Sequence, residues 1–283
     1  MRASRRVPGG APAGAPPGRG REERAGADSE GGGAAWEHPL WFGAGALFLV
    51  LAWSLGAMGR LEYVMPGPLV TWRALWSMMG DPAFWSALWS SLSRALLGLL
   101  LALVLGLAWG GARGRWRRFA SFTHPLLQLM LSTPAIIFVI LVMLWLGVRG
   151  PVVPVVVAIV TTPLITEATA QAIRGVDVDL IEMGRVFALP RRSIGLRIVL
   201  PMVAPPVLAA TTVALGQSIR IAVMTELVAT ASGIGGALRL AQINIETPDV
   251  FAYAIVMTAL TFVLERVLLA PVRRRMGARS SFS

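Results

Sequence analysis

The sequence predicts an all-α membrane protein with about six transmembrane helices. Of its 283 residues, 55% are hydrophobic and only 14% are charged, whereas a soluble domain carries about 25% charged residues. Apolar runs with few charges recur at lengths near the ~20 residues that a bilayer-spanning helix needs. The net charge of +11 comes from 26 basic residues, all of them arginine. In a membrane protein such an excess marks cytosolic loops, so we expect contact with lipid and not with nucleic acid.

Six apolar runs define the predicted spans, at about 40–58, 84–112, 119–148, 151–173, 206–228 and 250–270. The third run is thirty residues long and has Pro134 in its middle. One span does not need that length, so we expect this helix to be tilted, kinked or broken at the proline. Residues 37–275 therefore form the predicted membrane domain.

Two tails flank that domain. Residues 1–36 are rich in arginine, glycine and proline and contain almost no bulky apolar side chain. That composition cannot bury a core, so this segment is predicted to be a disordered cytosolic tail. Residues 276–283 form the second predicted cytosolic tail.

The arginines predict the orientation of the spans. Twenty of the 26 lie in the 1–36 tail, the 113–118 loop, the 174–197 segment and the end from Arg266, and only four lie in the opposite loops. Short cytosolic loops are enriched in arginine and lysine. We therefore expect a multi-pass protein of the bacterial cell membrane with both termini in the cytosol.

Residues 61–82 lie between the first two spans, on the predicted outer face. Trp72 and Trp76 lie there, and Trp85 follows at the start of the second span, at near-helical spacing. This pattern is typical either of an interfacial helix or of an ordinary belt of aromatic residues at the membrane surface.

Residues 230–247 form the other notable outer segment, because they contain the run Ser232-Gly233-Ile234-Gly235-Gly236. No strand precedes these glycines and no Gly-Lys-Ser/Thr follows them, which argues against a phosphate-binding loop. We expect a re-entrant or hairpin turn.

A short cytosolic segment at about 177–189 predicts an amphipathic helix. Asp177 is a suitable N-cap, further acids follow in the first turns, and Pro190 is expected to end the helix. Such a helix either occupies a groove in a partner or lies on the membrane surface.

This segment resembles the cytosolic signature of the permeases of type I ABC importers. That signature reads Glu-Ala-Ala, three residues, Gly, nine residues, Ile, one residue, Leu-Pro. In this chain the matching residues are Glu182-Met183-Gly184, then Ala188, then Ile198, Leu200 and Pro201. The departures are Met183, Gly184 and Ala188, where the family prefers Ala, Ala and Gly.

Further stretches look like the nitrate/sulfonate/taurine branch of these permeases. They are Met65-Pro66-Gly67-Pro68, Ser91-Leu92-Ser93-Arg94, the segment 177–182, Gly233-Ile234-Gly235 and the last span, 250–268. The resemblance covers about residues 60–275.

The resemblance implies a type I ABC importer permease fold with a cytosolic coupling helix. It also implies a homodimer, two cytosolic ATPase subunits that bind ATP and Mg²⁺, and an extracytoplasmic binding protein that delivers a small anionic or zwitterionic solute. A secondary carrier driven by an ion gradient is the alternative. The residues implied in coupling are Asp177, Leu180, Ile181, Glu182, Met183, Gly184, Phe187, Ala188, Ile198, Leu200 and Pro201.

Polar residues within the spans are candidates for the translocation path, because charge inside a membrane is costly. Glu167 lies toward the cytosolic end of the fourth span with Gln171 on the same face, so it is expected either to gate the path or to form a structural ion pair. In the outer half of the fifth span, Gln217 and Arg220 share a face.

The sequence also suggests contacts for three charged residues of the spans, Arg220, Glu226 and Arg94. Arg220 is expected to face the solute or to pair with an acid, of which Glu226 of a second copy is one choice. Glu226 lies about 240° around the helix from Arg220, so we expect no pair within one chain and a place for Glu226 at the outer interface. Arg94 is expected to snorkel to the surface, with a role in solute binding as the alternative.

Catalytic sites are excluded by the inventory of residues. The two histidines, His38 and His124, are far apart, no His-Glu-x-x-His or Gly-x-Ser-x-Gly motif occurs, and the chain has no cysteine. We therefore expect a protein that is not itself an enzyme and that binds neither a metal nor a cofactor.

Overall fold

The computed structural model describes residues 39–148 and 151–277. Their helices are α1 (Pro39–Ala57), α2 (Pro68–Met79), α3 (Pro82–Arg115), α4 (Arg117–Ser132), α5 (Ala135–Leu146), α6 (Val152–Arg174), α7 (Val178–Val186), α8 (Arg191–Ile194), α9 (Leu200–Ala229), α10 (Gly233–Ile243) and α11 (Thr247–Gly277). No strand occurs within these two ranges. The predicted tail 1–36, His38 and residues 278–283 lie outside the described residues.

The chain divides into two compact units, Met1–Trp53 and Ser54–Ser283. The described part of the first unit is most of α1, an apolar helix at the place of the first predicted span. The second unit contains every other helix and all of the candidate site residues.

Four helices of the described chain are long and apolar enough to cross a membrane: Pro82–Arg115, Val152–Arg174, Arg191–Ala229 and Thr247–Leu264. They correspond to the second, fourth, fifth and sixth predicted spans. A fifth is added if α4 and α5 count as one broken span, and Gly43–Ala57 of α1 is a shorter apolar helix. The all-helical prediction is confirmed, and the bounds of most spans differ from it by only a few residues.

The third predicted span is broken at its proline, which was one of the expected outcomes. Helices α4 and α5 meet at an angle of 100° across Thr133 and Pro134. Thr133 is extended, with ψ 128°, because the proline ring disfavours the helical conformation of the residue before it.

The helix of the fifth span begins before the predicted start of that span. A continuous helix runs from Arg191 to Ala229, so it starts fifteen residues before Pro206, near which the span was predicted to begin. A π-helical turn, Gly195–Val199, precedes Pro201, and Pro205 and Pro206 lie inside α9. Membrane helices accommodate prolines through such local adjustments of the backbone hydrogen bonding.

A stripe of small residues brings α3 and α6 together in the core. It repeats every four residues along one face of α3: Gly98, Ala102, Gly106, Gly110 and Gly114. Cβ atoms on these glycines would lie only 2.5–2.7 Å from the Cβ atoms of Val157, Ile165, Thr169 and Ile173 of α6. Each pair is 59 residues apart in sequence, so the two helices are parallel and in constant register. Small residues permit this close approach, which drives helix association where lipid removes the hydrophobic force.

This packing predicts opposite effects on stability when two glycines of α3 are replaced by alanine. Gly106→Ala should lower stability by about 1–3 kcal/mol, because the added methyl group must push Ile165 and α6 away. Gly111→Ala should be neutral or stabilising by up to about 1 kcal/mol, since nothing lies within 4 Å of its Cβ position and alanine favours helix. Thermal unfolding of the purified proteins in detergent measures both, and equal effects would contradict the stripe.

Candidate functional site

The segment predicted to be cytosolic forms the expected amphipathic helix, α7. The carboxylate of Asp177 accepts a hydrogen bond of 2.9 Å from the backbone N–H of Asp179, which confirms Asp177 as the N-cap. This bond satisfies one of the N–H groups that a helix leaves unpaired at its start.

The end of α7 differs from the prediction, because the helix stops at Val186 and not at Pro190. Ala188 has a left-handed backbone with φ 52°. The N–H of Ala188 donates to the carbonyl of Arg185, and the N–H of Leu189 donates to that of Gly184, at 2.9 and 3.0 Å. This double closure usually has glycine at the left-handed position. Ala188 stands where the resembled signature has its glycine, so the structure explains that preference and shows that alanine also fits.

The two faces of α7 have different partners. Gly184 is buried, and a Cβ atom there would lie 3.1 Å from Ile198 and 3.3 Å from Ile194 of the same chain. The bulky apolar side chains Val178, Met183, Val186 and Phe187 are instead 49–83% exposed. The helix thus packs on its own chain through its glycine and leaves its larger apolar residues uncovered.

The residues implied in coupling therefore fall into two groups. Gly184 is buried, and Ile181 and Ile198 are half-buried. The rest of the set is exposed: Asp177, Leu180, Glu182, Met183, Phe187, Ala188, Leu200 and Pro201. Of the three departures from the signature, Gly184 faces the chain itself, whereas Met183 and Ala188 are exposed.

Glu167 of α6 is held by a cluster at the predicted cytosolic end. Its carboxylate lies 3.5 Å from the guanidinium of Arg113 and 3.5 Å from that of Arg174, and it accepts a hydrogen bond of 3.0 Å from Gln171. The geometry matches the structural ion pair that the sequence left open beside gating. It also brings together two predicted path residues, Glu167 and Gln171.

Arg113 is a member of this cluster that the sequence did not single out. Its side chain is only 2% exposed, and it donates to the carbonyl of Ala120 and the hydroxyl of Thr123. The sequence placed it in a cytosolic loop, but it belongs to the last turns of α3. Arg113 lies seven residues after Gly106 and three residues after Gly110, so it is on the same face of α3 as these glycines. This spacing indicates that Arg113 faces α6.

A second polar network lies near the C-terminal end of α9, around Glu226. Its side chain is fully buried within the chain, whereas the sequence predicted only that Glu226 lies at the outer interface. The guanidinium of Arg94 lies 2.9 Å from the carboxylate and also donates to the hydroxyl of Ser232. The prediction that Arg94 snorkels to the surface is therefore wrong. As predicted, Arg220 and Glu226 form no ion pair within the chain.

This carboxylate caps the N-terminus of α10. The N–H of Gly235 donates to Glu226 at 3.2 Å. Ser91 of α3 donates to the carboxylate and accepts a hydrogen bond of 2.8 Å from the N–H of Ile234. Negative charge is favoured at a helix N-terminus, where the N–H groups are unpaired. Side chains of two other helices, Glu226 of α9 and Ser91 of α3, thus replace the capping side chain that a helix usually has at its own N-cap residue.

The glycine cluster is the counterpart of that buried carboxylate. Gly233 has φ 82°, and a Cβ atom on it would overlap the carboxyl group of Glu226. A Cβ on Gly235 would lie 2.5 Å from the Cβ of Glu226. The expected turn at 230–247 is instead the helix α10, which the capping by Glu226 and Ser91 makes stable.

Arg220 occupies an open groove between α9 and α11. The groove has a volume of about 620 Å³ and is lined by Ile219, Arg220, Val223, Met224, Leu227, Met257, Thr258, Thr261 and Phe262. Arg220 is exposed and makes no hydrogen bond or ion pair with any residue that the structure describes. Gln217 is half-buried and does not line the groove, so the structure does not bring these two candidates together there.

No group of three or more potential metal ligands occurs among residues 39–148 and 151–277. The expectation of no bound metal or cofactor stays a prediction.

The network predicts that Glu226 and Arg94 are energetically coupled. Glu226→Gln should lower the free energy of unfolding by about 3 kcal/mol, because it leaves the partly buried Arg94 without its counter-charge. Arg94→Gln should lower the free energy of unfolding much less in the Glu226→Gln variant than in the wild type. Urea or thermal unfolding of the four proteins in the double-mutant cycle measures the coupling.

The exposed acid Glu246 provides the control for this cycle, since Glu246→Gln should leave stability within about 0.5 kcal/mol. Strictly additive effects of Glu226→Gln and Arg94→Gln would contradict the coupling.

Comparison with known proteins places the chain in a family. Residues 98–276 match the family described as binding-protein-dependent transport system inner membrane component. An ABC transporter permease protein of Brucella melitensis is 28% identical over 160 residues, which are 56% of this chain and 65% of that protein. The matched region thus spans less than two thirds of that relative.

Two further relatives carry names that specify a solute. An Escherichia coli protein named as an aliphatic sulfonates transport permease is 29% identical over 134 residues, 47% of this chain and 51% of its own length. A Salmonella typhimurium glycine betaine/proline betaine transport system permease is 29% identical over 119 residues, 42% and 32% of the two chains.

Solved structures show the fold. A chain of the methionine ABC transporter in an inward-facing conformation has a TM-score of 0.54 at 17% identity, covering 67% of this chain and 98% of its own. A chain of an amino acid ABC transporter has a TM-score of 0.55 at 18% identity, covering 69% and 94%. The helices described above thus have the type I ABC importer permease fold. On the match over residues 98–276, the chain belongs to the family of inner membrane components of binding-protein-dependent transport systems, the permeases of ABC transporters.

Proposed function

We propose that the chain is the permease subunit of an ATP-driven importer in a bacterial inner membrane, with both termini in the cytosol. Two copies form one path for a small anionic or zwitterionic solute that an extracytoplasmic binding protein delivers. Two cytosolic subunits bind ATP and Mg²⁺ and hydrolyse the ATP, while this chain carries out no catalysis. No observation favours the alternative of an ion-gradient carrier.

The observation that carries this proposal is the set of uncovered apolar side chains of α7. Val178, Met183, Val186 and Phe187 are exposed on a helix whose own-chain contact is made by Gly184. Burial of one such side chain stabilises a complex by about 1.5–3 kcal/mol, so a partner groove gains by covering them.

The acids of α7 favour a protein groove over the membrane surface. Asp177, Asp179 and Glu182 are exposed on the same helix. The cytosolic leaflet is negatively charged and attracts basic segments, so it repels these carboxylates. A groove with basic residues on an ATPase subunit suits both the apolar and the acidic side chains of α7.

Glu182→Arg tests the role of α7. The variant should reduce co-purification of the ATPase subunits by about ten-fold or more, because an interfacial charge is reversed. The matched control is Glu62→Arg, which makes the same charge change at an exposed residue in the loop proposed to lie on the outer side of the membrane. Pull-down of the ATPase and ATP-dependent uptake in vesicles measure both variants. Full ATPase association and uptake with Glu182→Arg would contradict the role of α7.

Arg220 supports the part of the proposal that concerns the solute. It lies nine residues before the outer end of α9, about 14 Å along the helix. A cation within a span costs several kcal/mol unless it faces water or an anion, and Arg220 faces an open groove. The guanidinium fork matches the oxygen atoms of sulfonate or carboxylate groups. The names of the sulfonate and betaine relatives agree with such a solute, and the nitrate/sulfonate/taurine branch is part of this proposal.

Arg220→Gln tests the contact with the solute in the complex reconstituted with its ATPase and binding protein. Uptake should fall by about ten-fold or more, while assembly and basal ATPase activity are kept, because a charged hydrogen bond of about 1.5–3 kcal/mol is lost. Arg220→Lys should retain part of the uptake, and Arg73→Gln, at an exposed arginine of α2, should retain all of it. A complex that falls apart with Arg220→Gln would show instead that Arg220 is structural.

A further inference from the structure

A basic cavity lies behind α7, between that helix, the end of α3 and the start of α8. Its volume is about 710 Å³. Its lining combines three arginines, Arg115, Arg185 and Arg191, with apolar or small residues, Ile181, Ala188, Leu189 and Ile194. Each of the three helical elements thus contributes one arginine to a single concave surface.

These arginines have no counter-charge in the described chain. None of them forms an ion pair or a hydrogen bond with a described side chain, although each carries five donors. The acids of α7, Asp177, Asp179 and Glu182, do not line the cavity. Three cations line one open cavity, which concentrates positive potential there and attracts an anion.

Compensation of helix dipoles does not account for all three positions. Arg115 and Arg185 stand in the last turns of α3 and α7, where a cation interacts favourably with the helix C-terminus. Arg191 instead begins the helix that runs to Ala229. A cation is unfavourable at a helix N-terminus, so an anion in the cavity would relieve this cost.

The two long helices are long enough to carry Arg115 and Arg191 beyond the hydrocarbon core of a bilayer. The helix that ends at Arg115 has 34 residues and the one that begins at Arg191 has 39, or about 51 and 58 Å at 1.5 Å per residue. The hydrocarbon core is about 30 Å thick, and the whole bilayer about 40–45 Å with its headgroups. Both helices therefore extend beyond the core. Under the proposed orientation this end faces the cytosol, where the leaflet is rich in anionic lipid.

We propose that this cavity is a binding site for a phosphate group, supplied by the headgroup of an anionic phospholipid or by free phosphate. Arginine pairs with phosphate oxygens through two parallel hydrogen bonds, and basic pockets between membrane helices on the cytosolic side are suited to lipid headgroups. Only the choice of leaflet rests on the proposed function.

The site has a consequence for α7. The C-terminal turn of α7 supplies Arg185 and Ala188 to the cavity, while Arg115 and Arg191 belong to the ends of long membrane helices. A phosphate group bound by all three arginines ties this turn to the membrane part. It therefore adds to the contact of Gly184 with Ile194 and Ile198 and holds the uncovered apolar side chains of α7 in position.

The test uses the purified full-length chain in detergent, without ATPase or binding protein. The probes are phosphatidylglycerol, phosphatidylcholine and inorganic phosphate at constant ionic strength. Native mass spectrometry measures retained lipid, and thermal unfolding measures stabilisation. The cavity variant is Arg115→Gln/Arg185→Gln/Arg191→Gln. The matched control is Arg117→Gln/Arg118→Gln/Arg197→Gln, which removes three exposed arginines that do not line the cavity.

Wild type and control should retain phosphatidylglycerol over phosphatidylcholine, and the cavity variant should lose affinity on the order of 100-fold, because each basic residue contributes about five-fold. If inorganic phosphate raises the unfolding midpoint of wild type but not of the cavity variant, and no lipid is retained, free phosphate is the source. Equal loss in both triple variants, or no cavity-dependent effect of any probe, overturns the site.

Single variants cover the case in which the triple cavity variant loses its helical circular dichroism. Arg191→Gln should then weaken binding about five-fold relative to Arg197→Gln, and equal binding overturns the site. Because uptake and ATPase activity are not measured, failure of the site and failure of the proposed function are distinguishable.

Discussion

The end of the helical bundle at which α9 meets α10 depends on one buried carboxylate, that of Glu226. A fully buried charge is costly unless it is paired and hydrogen-bonded, and Glu226 is satisfied by Arg94 and Ser91 of α3 and by the backbone of α10. These partners determine how closely α3, α9 and α10 approach one another. The glycines of α10 follow from the same requirement, because a Cβ on Gly233 or Gly235 would occupy the space of the Glu226 side chain.

Close backbone approach also organises the middle of the bundle. The glycine stripe of α3 lies against α6 in a constant register, and the same face ends in Arg113, which reaches Glu167 of α6. Two kinds of contact thus hold these parallel helices together: small residues along the contact and an ion pair at the C-terminal end of both helices. In lipid, where apolar surfaces gain little by meeting, such packing and polar contacts are what bind helices together.

The charged residues of the membrane domain differ in whether they have a partner within the chain. Arg94, Arg113, Glu167 and Glu226 have partners within the chain, and their role follows from holding helices together. Arg220 and the arginines of the basic cavity face open space. A charge without a partner in its own chain needs water, a ligand or another molecule, and these residues are therefore the ones to which a function can be assigned. The apolar side chains of α7 belong to the same class, since they are uncovered while its glycine is buried.

Features that depend on neighbours in sequence were determined by the sequence alone. The apolar runs, the break at Pro134 and the N-cap Asp177 follow from local composition, proline sterics and side-chain hydrogen bonding. The pair Glu226–Arg94 spans 132 residues and Arg113–Glu167 spans 54, so only the tertiary structure decided them. Angles around one helix excluded a pair between Arg220 and Glu226, but they could not say which other helix faces Glu226. The sequence also could not show that Glu226 lies against residues 233–236, so the glycines there suggested a turn. Their role as the space for a buried carboxylate exists only once α3, α9 and α10 have come together.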